Sequence, residues 1–439
     1  MDKFLFGVAS SAYQIEGGYN EDGKSESIWD TFCEDRNNIE DKTDGRIACD
    51  SYHRFKEDVA LLKELGVNSY RFSISWPRVL PEGTGKINAK GLKYYLDLIG
   101  ELISNKIEPI VTVYHWDLPQ ILQDKGGMLN KDFPDWLAEY SSVLASAFKG
   151  RVTKYIIINE PQCIVGQGLV TGDHAPGLHL DIKDALYATH NLLKGYGKSS
   201  RAIKRIDSKA EISIATTGNV YVPEDKESAE ICRQKTFSVD PEYPWFGMSI
   251  YLDPIILGNY PEEYYKNFGD ILPAITKEDL DLIHQVPDFL SFNNYSGTIY
   301  RKGKPIDFKK EGIETADIEW EQIIPESLYY GSKFLYGRYK RPVLVSENGM
   351  CDNTGADKGE VRDIRRCRYI EKYFSSLMKA RKEGADIKGY LYWSLFDNFE
   401  WSRGYSKRFG LVYLPFPDTA RIKKDSFYFY KDLVKKNNF

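Results

Sequence analysis

The sequence lacks the cysteine and histidine patterns that build disulfide frameworks or metal sites. No C-x-x-C, no Cys/His pairing at zinc spacing and no H-E-x-x-H occurs among its 6 cysteines and 6 histidines. The cysteines lie far apart, at positions 33, 49, 163, 232, 351 and 367. We therefore expect reduced structural thiols and no bound metal, as is typical of a cytosolic protein.

Long apolar runs, export signals and blocks of like charge are also missing. No run of about 18 apolar residues exists, so no membrane-spanning helix is expected. The amino-terminal apolar stretch is too short and too quickly polar for a signal peptide, which favours a cytoplasmic location. Because the net charge of −5 is spread along the chain, neither nucleic acid nor an anionic membrane is expected as a partner.

Short β-type runs alternate with longer helical patterns along the whole chain. Several runs are continuously apolar, such as 156–158 and 343–345, as expected of strands buried on both faces. The predicted strands are 4–11, 69–75, 109–115, 154–160, 211–218, 289–296, 342–349 and 389–397. Helical patterns between them include 55–65, 89–103, 132–148, 182–206 and 363–381.

This alternation predicts an α/β protein built as a single (β/α)8 TIM barrel with loop insertions. A doubly wound open sheet is the main alternative, but it requires a glycine-rich turn after an early strand, and no G-x-G-x-x-G is present. No Gly/Ser-rich or Pro-rich linker divides the chain. Residues 1–439 are therefore predicted to form one catalytic domain, with 219–288 as barrel insertions.

Two glutamates each end an apolar strand, Glu160 the fourth and Glu347 the seventh. In a parallel barrel the reactive groups lie where the strands end, and these two ends lie across the barrel mouth from each other. Paired carboxylates that flank a bond are what glycoside hydrolysis requires. The two residues alone do not separate this interpretation from a pair of strand-end salt bridges.

Six sequence blocks decide between these interpretations, because together they resemble glycoside hydrolase family 1. They are FGVASSAYQIEG (6–17), YRFSISW (70–76), YHWDLP (114–119), NEP (159–161), SENG (346–349) and WSLFDNFEW (393–401). Their order and spacing are similar to those of the family from about residue 4 to the last helix. This family contains β-glucosidases, β-galactosidases and 6-phospho-β-glycosidases, and it works with retention of configuration.

The resemblance implies that Glu160 is the general acid/base and Glu347 the nucleophile. Since Glu347 has to stay ionised, Arg71 and Asn293 are its expected supports. Tyr295 is expected to donate a hydrogen bond to it. Glu160 has to start protonated, which predicts a pKa raised by its carboxylate neighbour and by partial burial.

The resemblance further implies a sugar site around the nucleophile. Its expected residues are Gln14, His115, Asn159, Tyr295, Trp393, Glu400, Trp401 and Phe409, with Trp320 as a platform on the aglycone side. Trp116 is expected to pack structurally. No metal or organic cofactor is expected, since two carboxylates supply acid, base and nucleophile.

The implied function is exo-hydrolysis of terminal non-reducing β-D-glucosyl residues, with β-galactosidase and β-fucosidase activity besides. The expected substrates are small β-glucosides or cello-oligosaccharides. A 6-phospho-β-glucosidase is disfavoured, because Glu400 would face the phosphate with like charge and Phe409 offers no donor. A catalytically silent sugar-binding relative would be expected to lack one glutamate. The chain departs from most relatives by having Ile157 in place of Thr and from many by having Asn294 in place of Tyr.

Overall fold

The computed structural model describes residues 4–437 of the chain. Within them, eight parallel strands close into a barrel, in which each strand pairs with its neighbours along the chain and the eighth pairs with the first. The strands are β1 Leu5–Ala9, β2 Ser69–Ser73, β3 Glu108–Tyr114, β4 Lys154–Asn159, β5 Glu211–Thr216, β6 Leu290–Asn293, β7 Val343–Asn348 and β8 Ile387–Trp393. The predicted (β/α)8 TIM barrel is confirmed.

Helices follow every strand and surround the barrel. The longer helices are Ser51–Leu65, Ala89–Ser104, Phe133–Phe148, Ile182–Ile206, Glu326–Tyr339, Ile364–Lys382 and Asp425–Asn437. Between β5 and β6 the chain forms the shorter helices Ser228–Thr236, Ser249–Ile256, Glu262–Phe268 and Lys277–Ile283. None of the helices in residues 4–437 has the length and apolar character needed to cross a membrane.

Further short elements lie in the loops that follow the strands. Single helical turns are Ala12–Ile15, Ile28–Phe32, Trp76–Val79, Gln120–Asp124 and Pro161–Cys163, and a π-helix covers Ile164–Thr171. Turns of 3-10 helix are Arg36–Asn38, Gly127–Leu129, Pro244–Phe246 and Trp401–Arg403. Two small sheets join Tyr221–Pro223 with Thr298–Arg301 and Lys304–Pro305, and Val412–Tyr413 with Ile422–Lys423. The insertions therefore gather at the carboxyl end of the barrel.

The strands alternate between the barrel interior and the layer under the helices. The interior is filled by a separate apolar cluster of Leu5, Ile110, Ile156, Ala215, Phe289, Leu344 and Leu391. On β2, Tyr70 and Phe72 belong to the main core, whereas Arg71 has partners on β3, β4 and β7. Because successive side chains of a strand point to opposite faces, Arg71 is directed into the barrel.

Several strands were predicted to extend further at their carboxyl ends than they do in the structure. The strand predicted at 4–11 ends at Ala9, the one at 211–218 ends at Thr216 and the one at 389–397 ends at Trp393. Strand pairing stops where the carboxyl-end loops begin: the helical turn Ala12–Ile15 follows β1. After β3 and β4 the backbone soon becomes left-handed, with a φ of 75° at Trp116 and 44° at Glu160. The residues after each strand thus belong to the carboxyl-end loops.

Candidate active site

A cavity of about 790 Å³ opens at the carboxyl end of the barrel. The expected site residues that line it are His115, Asn159, Glu160, Tyr295, Trp320, Glu347, Trp393, Glu400, Trp401 and Phe409. Arg71 and Asn293 are fully buried and bonded to the two glutamates, while Gln14 is fully buried near Glu400. Residues taken from separate strand ends are therefore brought together around one cavity.

Glu347, near the end of β7, has a donor on each carboxylate oxygen. Arg71 Nη1 donates to Oε1 at 2.6 Å, and the Tyr295 hydroxyl donates to Oε2 at 2.7 Å. Burial is the largest influence and raises the pKa of Glu347, while the Arg71 charge and the Tyr295 hydrogen bond lower it. Two such donors form the setting of an ionised carboxylate.

The Arg71 guanidinium is completely buried and ties four strands together. From β2 it donates to Thr112 Oγ1 on β3 at 2.9 Å and to Asn159 Oδ1 on β4 at 2.6 Å. On β7 it reaches Glu347 and also the Ser346 carbonyl, at 3.2 Å. A buried guanidinium is tolerated only when its donors are satisfied and its charge is paired, so the position of Glu347 is coupled to the closure of the barrel.

Glu160 follows β4 directly, and its left-handed backbone precedes the helical turn Pro161–Cys163. Asn293 Nδ2 donates to Oε1 at 2.8 Å, and the Cys163 thiol donates to Oε2 at 3.1 Å. Burial and then the charge of Glu347 raise the pKa of Glu160 to about 7. This carboxyl group therefore keeps its proton in a large share of the molecules at neutral pH.

Asn293, at the end of β6, lies between the two glutamates. Its Nδ2 donates to Glu160 and, at 3.1 Å, to Asn159 Oδ1, while its own Oδ1 accepts from Ser346 Oγ at 2.7 Å. The amide lowers the pKa of both Glu160 and Glu347. The expected support of Glu347 by Asn293 is thus shared with Glu160.

Asn159 and His115 are hydrogen-bonded to each other, and the groups around them fix the orientation of the Asn159 amide and the tautomer of His115. Asn159 Oδ1 accepts from Arg71 and Asn293, so its Nδ2 is the donor to His115 Nε2 at 3.0 Å. Burial and the Arg71 charge lower the pKa of His115 well below its usual value. The imidazole is therefore neutral with its proton on Nδ1, a buried donor that has no partner within residues 4–437.

Glu400 lies in the loop after β8 and lines the cavity. Burial, followed by the charges of Glu347 and Glu160, raises the pKa of Glu400 to about 8. Its buried Oε2 has no hydrogen-bond partner in the part of the chain that the structure describes. A carboxyl group in this state offers both donor and acceptor capacity to a polar ligand.

Gln14 has both ends of its side-chain amide bonded within the protein. Its Nε2 donates to Asn398 Oδ1 at 3.1 Å and to the Phe399 carbonyl at 2.8 Å, and its Oε1 accepts from Ser11 Oγ at 2.5 Å. It is fully buried and does not line the cavity. In this structure Gln14 fixes the loop that carries Glu400, whose pKa it lowers.

Indole rings form the wall around His115. The ring of Trp401 lies 5.9 Å from it at an interplanar angle of 25°, and that of Trp393 lies 6.1 Å away at 24°. Trp116 packs on Trp401 with 4.5 Å between ring centroids, and its Nε1 donates to the Asn159 carbonyl at 2.9 Å. Trp116 combines these packing contacts with a place in the cavity lining, where Trp393 and Trp401 also lie.

Trp320 lies at the cavity mouth and is 45% exposed. Its ring stacks on Phe409 with a centroid distance of 6.4 Å and an angle of 16°, and it meets the edge of Tyr295 at 5.7 Å. A flat aromatic surface therefore continues from the side of Glu347 towards solvent.

The two departures from the family pattern have local explanations. Ile157 is completely buried in the main core, so an apolar side chain at this position contacts apolar neighbours. Asn294 donates through Nδ2 to the Ser296 carbonyl and accepts on Oδ1 from Ser327 Oγ, both at 2.8 Å. Its amide is therefore occupied away from Glu347, and Tyr295 supplies the hydroxyl there.

Cys163, Ser346 and Thr112 contact the site but were not predicted from the sequence. Cys163 follows Glu160 by three residues, and residues at this spacing on a helical turn share a face, so a signal for it existed. Ser346 and Thr112 reach the site because barrel closure brings β7 and β3 beside Asn293 and Arg71. That proximity has no local signature in the sequence.

The protein is a (β/α)8 barrel with two buried glutamates and several aromatic rings around a cavity at its carboxyl end. These are the features of a glycoside hydrolase. The model described as Glycosyl hydrolase family 1 matches residues 1–439 of the chain. The chain therefore belongs to glycosyl hydrolase family 1, and the family predicted from the six sequence blocks is confirmed.

Characterised relatives align along almost the whole chain. Beta-glucosidase A of Acetivibrio thermocellus is 42% identical, with 99% of this chain and 98% of the relative covered. The 1,4-beta-D-glucan glucohydrolase of Thermotoga neapolitana is 39% identical, with 99% and 98% covered. Among solved structures, the beta-glucosidase from Thermotoga maritima in complex with deoxynojirimycin matches with a TM-score of 0.91 at 38% identity, with 100% of both chains covered.

Proposed function

We propose that this glycoside hydrolase is a retaining exo-β-glucosidase that acts through a covalent glycosyl-enzyme intermediate. The observation that carries the proposal is the unequal setting of the two glutamates. Glu347 is paired with Arg71 at 2.6 Å, whereas burial and the charge of Glu347 raise the pKa of Glu160 to about 7. One carboxyl group is held as an anion while the other keeps a proton near neutral pH, as a double displacement requires.

In the first step, a Glu347 carboxylate oxygen attacks the anomeric carbon while Glu160 gives its proton to the glycosidic oxygen. The bond from C1 to the aglycone oxygen breaks, an ester bond between C1 and Glu347 forms, and the aglycone leaves as an alcohol. Arg71 and Tyr295 hold the attacking carboxylate in position from its two oxygens.

In the second step, Glu160 acts as the base. Formation of the ester removes the Glu347 charge that raises the pKa of Glu160, so Glu160 stays ionised after its proton has left. It takes a proton from a water molecule whose oxygen attacks C1, and the ester bond to Glu347 breaks. Two inversions at C1 leave the β configuration retained, and both glutamates return to their starting states.

Substrates with a terminal β-D-glucosyl unit are supported by the polar groups of the cavity and by the names of the relatives. His115 Nδ1 and Glu400 Oε2 are buried without a protein partner among the described residues, and sugar hydroxyls would pair with such groups. The exposed Trp320 offers a stacking surface for a further sugar, which suits cello-oligosaccharides. We also propose β-galactosidase and β-fucosidase side activities, since donors and acceptors at Glu400 can pair with either 4-OH epimer.

The two alternatives raised by the sequence are less well supported. A 6-phospho-β-glucosidase would place a phosphate beside Glu400, whose pKa of about 8 leaves it a largely neutral carboxyl group near pH 7 and not a cation that could pair with the phosphate. Phe409 lies there without a hydrogen-bond donor. A catalytically silent sugar-binding protein has no need of Glu160 and Glu347 in unequal protonation states.

The test is hydrolysis of p-nitrophenyl β-D-glucoside by wild type, Glu347→Gly and Glu160→Ala, each mutant also with azide. Glu347→Gly is expected to be nearly inactive and to yield α-glucosyl azide, because azide replaces the nucleophile. Glu160→Ala is expected to yield β-glucosyl azide, because its covalent intermediate still forms. Glu371→Ala, on the exposed face of the helix Ile364–Lys382, serves as the control and should keep wild-type rates.

Each other outcome has a definite meaning. A mutant that keeps near-normal rates without azide removes that glutamate from the mechanism. Wild type that is inactive on glucoside, galactoside and fucoside favours the sugar-binding alternative. Faster turnover of the 6-phosphoglucoside than of the plain glucoside favours the phospho-sugar alternative.

A further inference from the structure

We propose that Cys163 is a positioning residue for Glu160, whose thiol holds the ionised form of this carboxyl group for the second step of the reaction. The inference rests on the proposed function, because it requires Glu160 to serve as acid in one step and as base in the next. It adds a residue that the family motifs do not include, since NEP ends at Pro161.

The fold of the chain after β4 brings Cys163 back to Glu160. The turn Pro161–Cys163 begins with Glu160 as its cap, and the Cys163 N–H donates to the Glu160 carbonyl at 3.0 Å. The chain then enters the π-helix Ile164–Thr171, an element that occurs frequently at functional sites. The side chain three residues after Glu160 therefore lies on the same side, with Sγ 3.1 Å from Oε2.

The two oxygens of Glu160 thus have separate donors. Asn293 Nδ2 serves Oε1, and the Cys163 thiol serves Oε2. Burial, followed by the charge of Glu160, raises the pKa of the Cys163 thiol well above its usual value, so the sulfur keeps its hydrogen at neutral pH. A donor to a carboxylate oxygen favours the ionised form over the protonated form.

This preference has opposite effects on the two steps. In the first step Glu160 gives up a proton, and the thiol slightly reduces the share of molecules that carry it. In the second step Glu160 has to be an ionised base in a fixed orientation, and the thiol supports both conditions. Cys163 also lines the cavity and is partly exposed, so its side chain reaches the reaction site.

The experiment compares Cys163→Ala, which removes the donor, with Cys163→Ser, which restores one. Two substrates separate the steps: cellobiose, whose leaving group needs a proton, and 2,4-dinitrophenyl β-glucoside, whose leaving group does not. For Cys163→Ala, we expect the alkaline limb of the kcat/KM profile with cellobiose to move up by about 0.5–1 pH unit. We expect kcat on the dinitrophenyl substrate, limited by the second step, to fall about 3- to 10-fold.

Cys163→Ser is expected to return both readouts to within about twofold of wild type, because the hydroxyl again donates to Glu160. Cys367→Ala, on the helix Ile364–Lys382, is the matched cysteine control and should superimpose on wild type. Should Cys163→Ala fail to fold in a thermal melt, Cys163→Val, which conserves volume without a donor, takes its place in the same comparison.

An unchanged pH limb and unchanged kcat in Cys163→Ala would overturn the inference. Equal losses in Cys163→Ala and Cys163→Ser would overturn it as well, since the side chain would then act by shape alone. Glu160→Ala is measured in parallel, with and without azide. If that mutant stays active without azide, the proposed function has failed. If it behaves as proposed while the Cys163 variants change nothing, only this inference has failed.

Discussion

Arg71 and Glu347 form a buried ion pair across the barrel interior, with 2.6 Å between Nη1 and Oε1. The side chains are 0% and 5% exposed, so dissolved salt screens the pair little. Arg71 reaches the pair from β2 and is held there by Thr112 and Asn159. The residue that keeps the proposed nucleophile ionised is therefore also one that connects the strands.

Arg71→Met is expected to damage stability and activity together. The change leaves the Glu347 charge buried without its partner, and breaking such a pair costs about 3–5 kcal/mol in the free energy of unfolding. Urea denaturation measures that loss, and kcat on p-nitrophenyl β-glucoside should fall at least about 100-fold. Arg362→Met is the control, because Arg362 is 76% exposed in its pair with Glu360 and should change stability by less than about 1 kcal/mol. Equal stability of the two variants would contradict the structural role of Arg71.

Tyr295→Phe is expected to move the acidic limb of the pH profile. The Tyr295 hydroxyl lowers the pKa of Glu347, so its removal raises that pKa. Since Glu347 has to be ionised to attack, activity is lost as the pH falls through its pKa, and this loss should occur at higher pH in the variant by about 0.5–1 unit. Tyr187→Phe, on the helix Ile182–Ile206, is the matched control. A kcat/KM profile with the acidic limb in its wild-type place would argue against the hydrogen bond.

The alkaline limb is expected to follow Glu160. Its pKa is raised to about 7, first by burial and then by Glu347, so the acid form is present below this pH and is lost as the pH rises through it. Wild-type kcat/KM should accordingly fall above about pH 7. In Glu347→Gln the neighbouring charge is gone, and a carboxyl 13C-NMR titration should give Glu160 a pKa lower by about one unit or more. A Glu160 pKa that is the same in Glu347→Gln and wild type would show that burial alone sets it.

The barrel and the two strand-end glutamates could be predicted because each depends on a local signal, whereas the other site residues were expected from the resemblance of six sequence blocks to the family. Continuous apolar runs such as that before Glu160 mark strands buried on both faces, and a carboxylate at the end of such a run stands out. The alternation of Tyr70, Arg71 and Phe72 likewise marks one charged residue that points away from the core. The location of such residues in the fold can be predicted from the residues next to them in the sequence.

The remaining features depend on contacts between distant segments. Gln14 lies in the family block that was assigned to the sugar site, yet its amide bonds to Asn398 and Phe399, which are 384 and 385 residues away. Asn293 donates to Glu160 because Ser346, from another strand, fixes the orientation of its amide. A single sequence names the residues but does not determine which of two nearby carboxylates an amide will bond to.

Trp320 supports a prediction about substrate length. Its ring is 45% exposed, lines the cavity and packs at right angles to Tyr295, the partner of Glu347, so we expect it to contact the aglycone and not the glucosyl unit. Trp320→Ala should raise KM for cellotriose about 2- to 12-fold, since an aromatic stacking contact contributes roughly 0.5–1.5 kcal/mol. KM for methyl β-glucoside, whose aglycone is too small to reach the ring, should change less than about twofold. Tyr428→Ala, with a ring 48% exposed on the helix Asp425–Asn437, controls for loss of an exposed aromatic residue. Equal effects of Trp320→Ala on the two substrates would place the ring at the glucosyl unit instead and would reverse the assignment of the cavity mouth to the aglycone.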